Sequence, residues 1–371
     1  MNMVITGANS ITSVGYSAEV TAASVRACIC RLSKFSDFND VQGNPISVAL
    51  IGSNVDADKE NDTTYDGKED YKEYDGEEDQ VSHITRITKD CFKILLDNYF
   101  QNSHTVSHEI YVLLGVASVS RPGPRYEGKN GEIADLLVNI AKKRTSKATC
   151  EIVPTGSASV MRCVEIASQI LKSNEDALLI IGGIDSLLAE DTLTWYEDDE
   201  RLKSDTLGRN HGFSPGEAVG FTIIESLQGA RRRKKKPLVE IIGLGLANEP
   251  APFLSSEPSR GEGLTTACRI ALADHAGVQN EIATVMSDLN GDFFSMKEWS
   301  YTEIRCFGDA HDSRTLLHPA DCLGSVGAAF GAILMNIAVV GLVDGWLENN
   351  CMVFCSDDGP ERGAVVLRSI K

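Results

Sequence analysis

The sequence predicts an α/β protein built of stacked layers, and three observations carry that expectation. Short apolar runs bounded by glycine recur along the chain, and segments of helical periodicity alternate with them. The 371 residues, 42% hydrophobic and 24% charged, are enough for a large core. Runs rich in Val, Ile and Leu that are apolar on both faces suit central strands covered by helices on each side. Alternating such strands with helices stacks sheets and helices in layers.

Taken in chain order, residues 3–5 form a first strand ended by Thr6-Gly7. Residues 56–79 hold twelve acidic side chains and three lysines, −9 of the chain's net −18. With few aliphatics and no periodicity, this segment reads as a mobile surface insertion. Asp56, Asp58, Glu60 and Asp62 have a calcium-loop spacing, but Asn61 stands at the sixth position, where the sharp turn needs glycine. Helical periodicity runs over 81–98, 159–171, 264–275 and 324–343. Further strands are expected at 177–181 before Gly182-Gly183, and at 238–246, 283–286, 352–354 and 364–367. The basic run 231–236, ending at Pro237, reads as a solvated linker between two halves, 1–230 and 231–371.

Charge and cysteine usage exclude several classes. A net charge of −18 argues against binding nucleic acid or anionic membranes. Ten cysteines are scattered without a CxxC pair or a Cys/His zinc spacing, so no metal or cofactor is expected. The N-terminus lacks a basic-then-apolar leader, and cytoplasmic, reduced thiols follow. Residues 323–343 carry no charge and could span a bilayer by length. Their flanks are Asp321, Asp344 and Glu348 rather than Lys or Arg, and their Gly/Ala content favours a buried core helix.

Six blocks in order then resemble one family. VITGANSITSVG (4–15) is similar to the opening of β-ketoacyl synthases, and IIGGIDSLL (180–188) to the strand after their nucleophile helix. GFSPGEAVGFTIIES (212–226) resembles their Gly-Phe-x-x-Gly-Glu-Gly-Ala segment, with Ala218 for the second glycine. KPLVEIIGLGLANE (236–249), GLTTACRIALADHAGVQNEIATV (263–285) and LGSVGAAFGAILM (323–335) resemble the start of the second half, the approach to a first catalytic histidine and the helix after a second. The resemblance implies the thiolase fold, two similar halves forming five α-β-α-β-α layers. It also implies dimerisation through a strand near the nucleophile helix, and acyl carrier protein and an acyl thioester as partners.

The family's reaction, decarboxylative condensation, uses a cysteine and two histidines. By the resemblance these positions fall at Ser157, Asn290 and Asp321, with Phe213, Gly216 and Glu217 bordering the substrate pocket. The family's lysine before the second histidine meets Leu316, and its C-terminal Gly-Phe-Gly-Gly loop meets SDDGPERG (356–363). A helix N-terminus worth roughly 0.3–2 kcal/mol can bring a thiol of pKa about 8.5 near neutrality, but not a hydroxyl several units higher. Ser157 would need a base within reach, and Asn290 cannot accept a proton.

Two functions follow from this pattern. The first is a fatty-acid or polyketide synthase-like protein that does not condense. It would act as a chain-length-factor-like partner of an active ketosynthase, as a homodimer or heterodimer, or bind acyl chains or carrier protein. The alternative is an acyltransferase, thioesterase or 3-oxoacyl synthase variant that uses Ser157, with His211, His318 or Asp321 as base. A further alternative is a displaced thiol, Cys322 or Cys163. Cys163 lies six positions beyond Ser157 on the predicted helix, hence on another face, and is expected in the core.

Overall fold

The computed structural model describes residues 2–52, 80–101, 109–124, 132–204, 208–209, 211–273, 278, 281–308 and 314–370. The acidic segment 56–79 lies outside them. Strand β1 (Met3–Thr12) holds the architecture together. It pairs antiparallel with β7 (Glu217–Ser226) along its length, and through Met3, Val4 and Ile5 with β8 (Val239–Asn248). On the β7 side lie β6 (Leu178–Ser186), β4 (Ile110–Gly115) and the edge strand β5 (Ala148–Val153). On the β8 side lie β12 (Glu361–Ser369), β11 (Asn350–Ser356), β9 (Ile282–Ser287) and the edge strand β10 (Thr315–Leu317). From either edge inwards the pairings run parallel, parallel, antiparallel, antiparallel. The chain therefore folds the same five-strand pattern twice, giving the two similar halves that the resemblance implied.

Side-chain alternation along the strands separates three cores, and these define the layers. Leu178 and Ile180 of β6 face a core built on α2 (Gln80–Phe100) and α3 (Glu132–Ala141). Leu179 and Ile181 face the opposite way, into a middle core around α4 (Ser159–Ser173) and α10 (Phe330–Asp344). From the other half, Val353 and Cys355 of β11 enter that middle core. Met352 and Phe354 enter a third core, on α7 (Glu262–Ala273) and α8 (Phe293–Phe307). The layers are thus α-β-α-β-α.

Helix α10 contains the membrane-length apolar run, and it is a core helix. Every side chain from Phe330 to Val339 is buried between the two halves. Its one interior amide, Asn336, accepts from Thr222 Oγ1 at 2.6 Å and donates to the Asn9 carbonyl and Ser10 Oγ, both at 2.9 Å. That network satisfies a polar group where none could reach water.

Three boundaries differ from the sequence reading. β1 passes through Thr6-Gly7 to Thr12, with a register shift between Ile5 and Gly7 absorbing the irregularity. β6 continues through Gly182-Gly183, because a Cβ at Gly182 would sit 2.3 Å from the Phe221 ring. There glycine lets the strand pass a neighbour instead of ending it. α10 starts at Phe330 rather than 324, since Gly324 (φ +71°) and Gly327 (φ +48°) hold the chain out of the right-handed helix.

The basic run 231–236 is more than a solvated linker. Arg232, at the end of α6 (Leu227–Arg232), pairs with Glu175 and Asp176 at 3.1 and 2.6 Å, and Arg233 clasps the buried Glu225.

Candidate functional site

The two helices of the middle layer are opened by matching turns. Gly156 takes φ +60° and begins a 3-10 turn, Gly156–Ala158, that runs into α4; Ser157 is its second residue. In the other half Gly327 takes φ +48° and begins Gly327–Ala329, which runs into α10. The residues before them, Thr155 and Val326, share φ −116° and have ψ of 26° and 20°.

A cleft lies at these turns, where the ends of β9 and β11 approach. Ser157, Asn290, Ser325, Asp288, Asp357 and Arg201 line it, and Trp195, Tyr196, Phe213 and Phe330 supply its apolar surface. The polar groups are tightly wired. Asp357 Oδ1 accepts the Ser157 backbone N–H at 3.1 Å, and a Cβ at Gly156 would lie 1.7 Å from the same oxygen. Burial, reinforced by the charge of Asp358, pushes the Asp357 carboxyl up to about 6. Asp288 Oδ2 accepts the Ser356 N–H at 2.7 Å, and burial pushes this acid up to about 8.

Arginines fix the remaining walls. Fully buried Arg362 donates through Nε to both oxygens of Glu298 at 2.9 and 3.0 Å. Its Nη1 donates to the carbonyls of Asp357 and Gly359 at 2.7 Å and Glu361 at 2.8 Å, which pins the loop carrying Asp357. Arg201 joins Asp292 at 2.6 Å to Asp358 at 2.7 Å and lies 4.0 Å from the centre of the Phe253 ring. Burial opposes the Asp358 charge, but Arg201 and Tyr196, both hydrogen-bonded to it, hold it below the usual carboxylate range.

Of the residues singled out in the sequence, the fold brings Ser157, Asn290 and Phe213 to the cleft. Asp321 is not among them. It sits in α9 (Ala320–Leu323), its side chain 69% exposed, with His318 Nδ1 at 2.9 Å from its Oδ2. The cleft residue in that region is Ser325, whose Oγ receives the Asn290 Nδ2 at 3.2 Å. The sequence held a signal for it: Ser325 follows Gly324, so Gly324-Ser325 stands where a Gly-His pair is expected, whereas Asp321 follows Ala320. His211 is exposed and, like His318, does not line the cleft.

Gly216 and Glu217 do not line it either. Glu217 is fully buried, accepting the Ile51 N–H at 3.0 Å and the Ser186 hydroxyl at 3.1 Å, with His83 Nε2 at 2.9 Å. A Cβ on Gly216 would press on the Leu323 carbonyl at 2.8 Å, so its role is close packing. Cys163 belongs to the middle core, as expected, and burial raises its thiol. Cys322, buried outside the cleft, is pushed up to about 11 by burial and neighbouring Cys28 and Cys30. Neither is placed as a displaced nucleophile.

Comparison with solved structures places this arrangement. A type II polyketide synthase acyl-carrier protein in complex with its ketosynthase, bound to the hexaketide, superposes with a TM-score of 0.76 at 13% identity, covering 100% of this chain and 99% of that one. The chain has the ketosynthase fold. The ishigamide ketosynthase/chain length factor gives a TM-score of 0.74 at 16% identity, covering 100% and 99% of the two chains. A β-ketoacyl synthase from Burkholderia phymatum gives 0.73 at 15%, with 100% of each covered. In sequence, the chain is 24% identical over 198 residues to the pikromycin polyketide synthase component PikAII of Streptomyces venezuelae, a match covering 52% of this chain but 5% of that component's length. No family model matches.

Within the ketosynthase fold, Ser157 stands among the groups that line the cleft. Among the described residues no histidine lines the cleft, and the Ser157 hydroxyl has no hydrogen-bond partner to take its proton. The Ser157 amide, which a developing oxyanion would need, already serves Asp357. The cleft thus combines hydroxyls, an amide, buried acids and Arg201 with an aromatic wall.

Proposed function

We propose that this chain is a non-condensing subunit of a polyketide- or fatty-acid-type assembly, working beside a condensing ketosynthase or by holding an acyl chain or its carrier protein. The observation that carries the reading is the Asp357 carboxylate on the Ser157 amide. An anion built into that position competes with the oxyanion of any tetrahedral intermediate. Solved structures of the same fold include a ketosynthase/chain length factor and a ketosynthase with its acyl-carrier protein, which supports these partners. The edge strand β5 supports a paired state. It has one neighbour, β4, among the described residues, its Thr149 and Glu151 are exposed, and it leads directly into the Ser157 turn.

The test incubates the full chain with acyl and malonyl carrier-protein thioesters, alone and with a condensing ketosynthase. The expected result is no product and no acyl adduct from the chain alone, with a complex on size-exclusion chromatography and product only when the partner is present. Condensation by the chain alone overturns the proposal. So does an acyl adduct that disappears in Ser157→Ala.

A further inference from the structure

Outside the cleft, α7 and α8 carry two thiols for which the proposed function has no use. Cys268 is fully buried in the core between these helices, and partly exposed Cys306 packs against the same core. Cys306 Sγ donates to the carbonyl of Thr265 at 3.8 Å, one turn before Cys268, which sets the two thiols beside each other where the helices meet. Thr265 also meets Thr302, their hydroxyls 3.2 Å apart, so the helices touch along this line. Arg269 and Arg305 flank the pair, Arg269 donating to the Arg305 carbonyl at 3.0 Å. The hydrogen bond from Cys268, with these two guanidiniums and against the effect of burial, holds the Cys306 thiol below its ordinary value. The Cys268 thiol is raised, by its hydrogen bond to Cys306 and by burial. Cys306 is therefore the more exposed and more acidic of the two thiols, and Cys268 is sheltered.

We propose that Cys306 and Cys268 form an oxidation site that closes to a disulfide between α7 and α8, with hydrogen peroxide as oxidant. The Cys306 thiolate attacks one peroxide oxygen; the O–O bond breaks, hydroxide leaves and takes up a proton, and the sulfur becomes a sulfenic acid. Cys268 then gives up its proton and attacks that sulfur, breaking the S–O bond and releasing water. Overall, two thiols and one peroxide become one disulfide and two waters. The bond would brace α8, whose N-cap Asp292 holds Arg201 in the cleft wall.

The experiment treats the full-length chain with hydrogen peroxide, alkylates the remaining thiols and maps peptides by mass spectrometry. The expected product is the Cys268 peptide joined to the Cys306 peptide, two hydrogens lighter than their sum. In Cys268→Ser, Cys306 is expected to stop at the sulfenic acid and be trapped by dimedone; in Cys306→Ser, Cys268 stays unmodified. Oxidation confined to the exposed Cys28 and Cys30 overturns the proposal, as does a Cys306 that resists peroxide in Cys268→Ser. The wild-type map decides the matter even if a variant fails to fold.

Discussion

At the turn opening α10, Asp185 accepts the Ala328 amide at 2.8 Å and is gripped by Arg121 through two hydrogen bonds of 2.8 and 2.6 Å. At the turn opening α4, Asp357 accepts the Ser157 amide at 3.1 Å, and among the described residues no basic side chain pairs with it. The frames are otherwise alike. Each acid sits at the C-terminal end of the equivalent strand, Asp185 within β6 and Asp357 just past β11, and each crowds a left-handed glycine, Gly327 or Gly156. Arg121 clamps one carboxylate, whereas burial beside the Asp358 charge leaves the other raised and able to gain a proton beside the cleft. Duplicated backbone has thus been put to two uses by changing its electrostatic surroundings.

The strongest way to break this comparison is Arg121→Gln. It strands the buried Asp185 charge and should cost about 3–5 kcal/mol in chemical denaturation. A loss near zero would mean that the ion pair is not what separates the two turns.

Next come Gly327→Ala and Gly156→Ala, whose new Cβ atoms would lie 2.2 Å from Asp185 Oδ2 and 1.7 Å from Asp357 Oδ1. Left-handed strain and overlap together should cost about 2–4 kcal/mol at either site. Adding Asp357→Ala should recover part of the loss at Gly156. Adding Asp185→Ala should recover none at Gly327, because the buried Arg121 then loses its two hydrogen bonds to that carboxylate. Equal recovery in the two double-mutant cycles would erase the distinction.

The smallest effect is the pH dependence of Asp357→Asn. The folded carboxyl titrates at about 6, above its ordinary 3.8, so the folded state holds the proton more tightly. Its contribution to stability is fully present below about pH 4 and is lost as pH rises through about 6. The wild type should therefore lose stability relative to Asp357→Asn across that window, by no more than about 3 kcal/mol. Parallel stability curves for the two proteins would argue against a titrating Asp357.

What the sequence disclosed, it disclosed through pattern. The two-sided apolar runs of β6, β8 and β11 and the periodicity of α2, α4 and α7 were legible, because a covered strand and an amphipathic helix each require their own spacing of apolar residues. Polarity at the site was not. Arg201 joins Asp292 and Asp358 across 91 and 157 residues of chain, and Asp357 reaches Ser157 across 200. No local spacing announces such pairs. Ser157 and Asn290 were legible through the family resemblance; Ser325 was not, because only the fold shows that α9 carries Asp321 to the surface while Ser325, beyond the left-handed Gly324, reaches the cleft.

Arg362 limits what substitution can do at the Ser157 turn. A guanidinium bonded to three carbonyls of one loop and to a buried glutamate commits the backbone from 357 to 361 to a single path. Ser157→Cys would place a thiol at this turn without releasing the amide beside it. Removing Asp357 would release the amide, yet Arg362 would still draw the loop inward. Changing Arg362 or Glu298 singly leaves a buried charge without its counterpart. Freeing the Ser157 amide by single substitutions thus passes through variants less stable than the present chain, because the loop and its buried ion pair hold each other in place.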